Sequence, residues 1–259
     1  MTKATTMPVL FIGHGSPMNA IEDNEFSRAW RDAAARFDKP RAVVCISAHW
    51  ETAGVRVLAD AHPRTIHDFY GFPDELFAVR YPAPGSAELS ARIVELLEGF
   101  SAVPDREWGI DHGTWSVLRR MYPAADVPVV QVSLDTAQPG EFHYRVGRAL
   151  RPLRREGVLI LGSGNIVHNL GLYDYRDETP YPWASSFDAK VEKFVEERRH
   201  GEIADYPGLG DASRLSIPTP EHYLPLLYVL AAAEENEKPE FFCQKILGSL
   251  SMTSLVFGL

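Results

Sequence analysis

Five of the nine histidines in the chain stand where an apolar run ends or an amphipathic one begins. His14 follows Val9-Leu10-Phe11-Ile12 and is held between Gly13 and Gly15, His49 lies near the end of RAVVCISAHW (41–50), and His168 comes just after VLILGSG (158–164), in GNIVHNL. His112 heads HGTWSVLRRMY (112–122), and His222 stands at the start of PEHYLPLLYVLAAAEEN (220–236). The other four scatter, His143 and His200 in helical segments and His62 and His67 in a loop. Imidazoles gathered at one rim repel one another when protonated, and a divalent cation removes the conflict because it takes the neutral ring nitrogen. The glycines beside His14 would let the backbone turn sharply and come close to an ion. With no cysteine next to these histidines, the donor set suits Zn(II) or Fe(II) and not a thiolate centre. The five are far apart in sequence, so the fold has to collect them.

The elements available to do so alternate. PVLFIG (8–13) and RAVVCISAHW (41–50) are short and rich in β-branched residues, as buried strands are. NEFSRAWRDAAARF (24–37) between them places Phe26, Trp30, Ala33 or Ala34 and Phe37 at helical spacing. Such a strand–helix–strand unit pairs its strands in parallel by default. The pattern predicts further helices over 87–100, 112–122 and 140–157, the last bent or interrupted at Pro152 and ended at Gly157. It predicts strands over 127–134 and 158–164, helices over 185–201 and 220–236 despite Pro225, and a closing strand within 251–259. The expected fold is α/β: one domain over residues 1–259, with a central, largely parallel mixed sheet flanked by helices. In open sheets of this kind ligands bind beyond the carboxyl ends of the strands, where His14, His49 and His168 fall. The segments 60–86 and 202–220 read as long loops, a kind more often functional than idle.

Bulk properties narrow the class. The 259 residues carry 45% hydrophobic and 24% charged residues, the profile of a soluble globular protein, and suffice for a sizeable core. The net charge of −9 argues against a nucleic-acid partner and gives no support to an anionic membrane. VLFI is too short for the apolar part of a signal peptide, and no run approaches the ~20 apolar residues of a membrane span. Cys45 and Cys243 make neither a disulfide framework nor a thiolate motif, so a reducing cytoplasm with two buried free thiols is expected. Trp50, Tyr70, Phe72, Trp108, Trp115 and Tyr223 surround the histidine stretches. Most such rings fill cores, but TIHDFYGFP (65–73) is a Gly- and Pro-marked loop, where rings suggest the lining of a pocket for an organic molecule.

GHGSPMNA, SAHWET, HDFYGFP, YPAPGS, WGIDHGTWSVL, VPVVQVSLD, LILGSGNIVHNL and PTPEHYLPLLY, in that order, resemble the class III extradiol ring-cleaving dioxygenases, in their 4,5-DOPA dioxygenase branch. The likeness runs from about residue 8 to the closing GSLSMTSLVFG. It implies a mononuclear non-haem Fe(II) site that takes both hydroxyls of a catechol and then O2, opening a DOPA-like ring outside the two hydroxyls. Carried over by motif, the resemblance makes His14, His49 and His222 metal ligands. It makes His168 the acid–base residue, close enough to join the metal when substrate is absent, and His112 a catalytic group facing substrate or supporting the ligands. Many ring-cleaving relatives use two histidines and a carboxylate, so Glu221, adjacent to His222, is the alternative ligand. An all-histidine set also suits Zn(II), which purified protein can carry but which cannot pass electrons to oxygen. The implied partners are a small aromatic diol and O2, with the chain a monomer or homodimer. Two other readings use the same histidines. One is a zinc- or cobalt-binding chelatase or metal-delivery protein, since GHGS also resembles the sirohydrochlorin-type chelatases. The other is a zinc hydrolase with Glu221 or Asp111 as base. Arg64, Arg80, Arg176 and Arg214 are candidates for holding a substrate carboxylate.

Overall fold

Apolar runs without alternation form strands that must be covered on both faces. In the computed structural model, which describes residues 6–259, every residue of the run at Val9–Gly13 is buried. The strands are β1 (Val9–Gly13), β2 (Ala42–Glu51), β3 (Arg56–Leu58), β4 (Val103–Asp105), β5 (Val129–Leu134), β6 (Val158–Gly164), β7 (Glu240–Phe242), β8 (Ile246–Leu247), β9 (Leu250–Ser251) and β10 (Ser254–Phe257). Eight of them form one sheet in the order β4-β3-β5-β2-β6-β1-β10-β7, and β8 pairs with β9 alone. The inner four, β5, β2, β6 and β1, are parallel, whereas β10 runs antiparallel to β1 and β3 antiparallel to β5. The sheet is therefore mixed, with a parallel centre.

The helices are α1 (Glu25–Ala34), α2 (Asp74–Phe77), α3 (Ala87–Leu96), α4 (His112–Met121), α5 (Gly140–Leu150), α6 (Pro182–Glu196), α7 (His200–Ala204), α8 (Asp211–Ser216) and α9 (Leu224–Ala232). Side chains alternate across the strands. Val9 and Phe11 pack with α5, α6 and α9 in one core, while Leu10 and Ile12 pack with α1 and α4 in the other. All nine residues of α9 are buried, as befits a helix apolar all round. Asn24 begins α1 with a capping box to Ser27, and the Asp111 side chain accepts from the Thr114 N–H to begin α4.

The predicted helix over 140–157 is α-helical only to Leu150. It tightens into a 3-10 turn across Pro152 and stops at Gly157, whose φ is 77°. Pro225 lies in the first turn of α9, where its missing N–H costs nothing, so His222 precedes this helix instead of lying in it. The predicted helix over 185–201 splits: α6 begins earlier, at Pro182, and a left-handed Arg198 separates it from α7. The expected loop at 202–220 holds the end of α7 and all of α8. Cys45 is buried but Cys243 only half-buried, and both are free. Among the described residues no helix is long and apolar enough to cross a membrane.

Candidate active site

The parallel centre brings its carboxyl ends together, and the histidines follow. His14 continues from β1, and its N–H donates to the Gly164 carbonyl at the end of β6 (3.0 Å). His49 lies on β2 inside an irregularity between Ile46 and Glu51, where the register against β5 shifts. Bulges of this kind re-aim side chains. His222 is carried by the segment after α8, whose carbonyl accepts from the Asn165 N–H at 2.8 Å just beyond β6. The ring centroids of His14, His49 and His222 are 5.1, 5.3 and 5.1 Å apart, a nearly equilateral triangle. His112, the first residue of α4, stands 3.9 Å from His49, and His168 stacks on His222 at 3.4 Å with the rings 8° from parallel. All five histidines singled out from the sequence meet at one place.

Their hydrogen bonds decide which nitrogens face inward. The Ser163 hydroxyl donates to the Gly113 carbonyl (2.6 Å), so toward His14 Nδ1, at 3.0 Å, it can only accept. His14 therefore carries its proton on Nδ1 and presents a lone pair on Nε2. Glu221 accepts from His222 Nδ1 at 2.9 Å with the same result. His49 Nδ1 faces an Asp68 carboxylate oxygen at 3.3 Å, while its Nε2 lies 3.2 Å from His14 Nε2. In one tautomer His49 donates to the His14 Nε2 lone pair, and in the other both rings turn lone pairs to the same point, where a cation can take them. The donor set fits a metal ion. His14, His49 and His112 offer ligand atoms within 4.8 Å of one another, as do His168, Glu221 and His222.

Burial enforces neutrality. It is the main cause holding His14, His49 and His222 well below 6.5, with repulsion among the imidazoles adding to it. Burial, and then His112, bring His168 down to about 4. Burial pushes the Asp68 carboxyl up, but His112 and His49 outweigh it and leave the group at about 2. Asp68 Oδ1 accepts from the His112 backbone N–H (3.0 Å), and Oδ2 lies 2.9 Å from His112 Nδ1 without hydrogen-bond alignment.

Beside the histidines is a cavity of about 320 Å³ whose wall includes Tyr70 and Phe72 of the aromatic loop. The other rings noted in the sequence belong to the packing: Trp50 stacks on Trp108, Trp115 Nε1 donates to the Ile66 carbonyl, and the Tyr223 hydroxyl donates to the Ile203 carbonyl. None of Arg64, Arg80, Arg176 and Arg214 lines the cavity. The glycines beside His14 also have another task. A Cβ at Gly13 would lie 2.7 Å from the Met252 carbonyl, and one at Gly15, where φ is +56°, would lie 2.4 Å from Met252 Sδ. They admit a crossing chain.

The family described as the catalytic LigB subunit of aromatic ring-opening dioxygenase matches residues 7–254. The chain belongs to this LigB family. It is 47% identical over 98% of its length to a 4,5-DOPA dioxygenase extradiol of Escherichia coli (strain K12), covering 96% of that protein. It is 42% identical to a 4,5-DOPA dioxygenase extradiol of Beta vulgaris, over 89% of this chain and 88% of that one. The crystal structure of an uncharacterized Escherichia coli K12 protein superposes with a TM-score of 0.83 at 42% identity, covering 96% of this chain and 99% of the other. The molecule is thus an extradiol, aromatic ring-opening LigB-family dioxygenase, an oxidoreductase with a metal-binding histidine cluster.

LigB-family membership disfavours the chelatase and hydrolase readings, and local geometry agrees for the bases they would need. Asp111 is consumed as a helix cap: its carboxylate accepts from Ser47 Oγ, the Thr114 N–H and Gln131 Nε2. Glu221 is turned to His222 and also accepts from Thr219 Oγ1 at 2.9 Å. Sequence reasoning missed Ser163 and Asp68 as partners of the histidines. Asp68 lies in the quoted aromatic loop, where a lone carboxylate among rings was the available signal.

Proposed function

We propose that this dioxygenase opens the ring of a DOPA-like catechol at Fe(II) held by His14, His49 and His222, with His168 as its acid–base residue. The triangle of those three rings, with His168 stacked on one corner at the cavity wall, carries the proposal. The names of the relatives support the substrate class. Fe(II) bound there supplies open positions for the two catechol oxygens and O2 and a route for electrons between them. His168, held near 4, enters neutral and can take a phenolic proton as the diol arrives. The same low basicity lets it give the proton back as the ring opens to a muconic semialdehyde. His112, carried close to His49 with Asp68 behind it, faces the diol from the flank. Glu221, Ser163 and Asp68 hold the ligand rings. Zn(II) fits the same nitrogens and gives an inert form. The two free cysteines accord with a cytoplasmic setting.

The test reconstitutes metal-free protein with Fe(II) or Zn(II) and follows oxygen uptake and yellow product with a catechol; only Fe(II) should support turnover. His168→Ala should keep its iron and lose about 10²–10⁴-fold in ring opening. His14→Ala and His222→Ala should lose stoichiometric metal. Turnover of His168→Ala within a few-fold of the parent overturns the acid–base role, and full metal occupancy in either ligand variant overturns the ligand set.

A further inference from the structure

The cavity beside the histidines is lopsided in charge. Its inner end holds the imidazoles and one carboxylate, Asp68, and among the described residues no lysine or arginine lines it. Apart from Gly15 and Ser16 the rest of the wall is aromatic or aliphatic, with Phe72, Leu170 and Tyr173 among its residues. Tyr70 and Tyr175 belong to this wall and yet are 92% and 83% exposed, which puts them at the mouth. They come from different segments, Tyr70 from the loop before α2 and Tyr175 from the loop before α6. Tyr175 meets Tyr173 edge-on at 4.8 Å. Of the arginines named from the sequence, Arg80 donates to the Phe77 and Val79 carbonyls and Arg214 pairs with Asp211, while Arg176 directly follows Tyr175 without lining the cavity.

A catechol with its two hydroxyls at the histidines must lay the opposite edge of its ring against this wall. A carboxylate bonded directly to that edge would lose hydration without finding a countercharge, the costly case for a buried ion. Asp68 in the same cavity adds repulsion. A methyl group gains by burial there, and an ammonium on a short tether finds ring faces and the Asp68 field. We propose that this cavity selects catechols by charge, accepting neutral or cationic ring substituents and rejecting a carboxylate borne directly on the ring, with Tyr70, Leu170 and Tyr175 setting the selection. A longer zwitterionic side chain passes between the two tyrosines and keeps its charges in water. The inference rests on the ring-opening reading above.

Two measurements test it separately from that reading. In the first, the Fe(II)-loaded enzyme is offered 4-methylcatechol, 4-(2-aminoethyl)catechol and 3,4-dihydroxybenzoate, and kcat/KM is read from oxygen uptake. The first two should exceed the benzoate by at least about a hundredfold. In the second, anaerobic calorimetry on the inert Zn(II)-loaded protein compares Kd for 4-methylcatechol and 3,4-dihydroxybenzoate, and the same ranking should appear without turnover. Leu170→Arg, at a side chain 59% exposed, should shift the benzoate-to-methylcatechol ratio in both measurements toward the benzoate by about tenfold or more. Turnover of no catechol at all sinks the ring-opening reading. Turnover with the benzoate equal to or better than 4-methylcatechol sinks charge selection alone, and an unmoved ratio in Leu170→Arg removes Leu170 from it.

Discussion

Which nitrogen of His14 faces the other imidazoles is decided by a residue 149 positions away, Ser163. A serine hydroxyl has one proton, and the Gly113 carbonyl takes it at 2.6 Å. What remains for His14 is an acceptor, which holds the proton on Nδ1 and frees Nε2. Partners behind a ligating imidazole raise its basicity and fix its orientation, and losing one costs about 10–100-fold in metal affinity. Ser163→Ala should therefore bind iron or zinc about 10–100-fold more weakly, measured by competition with a chelator. Nitrogen NMR of the metal-free variant should show His14 spread over both tautomers, and Ser163→Thr should restore the parent behaviour. A chelator titration within twofold of the parent would mean that the hydroxyl only fills space. Glu221 plays the corresponding part for His222, with the added effect of a negative charge, and Asp68 is shared between His49 and His112.

The elements approach each other closely enough that one missing side chain matters. Gly113 lies in the first turn of α4, and a Cβ there would come 2.6 Å from Ser47 Oγ and 2.7 Å from His49 Cδ2. Gly113→Ala has to push α4 off the end of β2 or turn His49 aside. Overpacking of this kind costs about 1–3 kcal/mol. The variant should fold with a lowered urea midpoint and bind metal at least about tenfold more weakly. Parent-like values for both would show that the helix has slack at this point. The sequence told much about these elements and less about their contacts. Val9–Ile12, Ala42–Ile46 and Val158–Leu161 are unbroken apolar runs, so strands buried on both faces could be read directly, and with them the histidines at their ends. The irregularity in β2 that aims His49 leaves no mark on residue type. The short helices α7 and α8 span too few turns to show an amphipathic period, so their segment read as loop. Asp68 and Ser163 are ordinary polar residues until the sheet sets β1 beside β6 and the aromatic loop over α4. His112 could be picked out as opening a helix and Asp111 as a candidate base, but only the carboxylate's three donors show that Asp111 is a cap.

At the scale of the whole molecule, six buried or half-buried imidazoles are kept neutral by the fold. His14, His49 and His222 lie well below 6.5, and His143, His168 and His200 are each lowered to about 4, burial being the leading cause in every case. Two of these, His143 bonded to the Tyr228 hydroxyl and His200 bonded to the Tyr144 hydroxyl, are outside the metal cluster. A histidine whose folded pKa is depressed contributes stability that is present above its unfolded value and is lost as pH falls below it, because the unfolded chain takes up protons that the folded chain refuses. Buried carboxyls act in the opposite sense. Burial pushes Glu192 up to about 7, with Asp188 adding to it, and also raises Asp111, Asp188 and Glu221, so these groups take up protons at higher pH in the folded chain than in the unfolded one and offset part of the loss. Falling net charge works with them, since the chain carries −9 at pH 7 and approaches neutrality near its pI of about 5.5. The histidines outnumber these carboxyls, and each proton left uncompensated gives a slope of about 1.4 kcal/mol per pH unit. The metal-free protein should therefore show a lower urea midpoint at pH 5 than at pH 7, even though general charge repulsion is weaker at pH 5. Bound metal should raise the midpoint at pH 7 by mass action and make the fall with acid steeper, because protons then also displace the ion. A midpoint that is flat or rises between pH 7 and pH 5 in the metal-free protein would mean that the imidazoles do not outweigh the carboxyls and the falling net charge. Histidine NMR titration showing protonated rings in the folded chain would mean that the closely packed neutral cluster opens to admit protons.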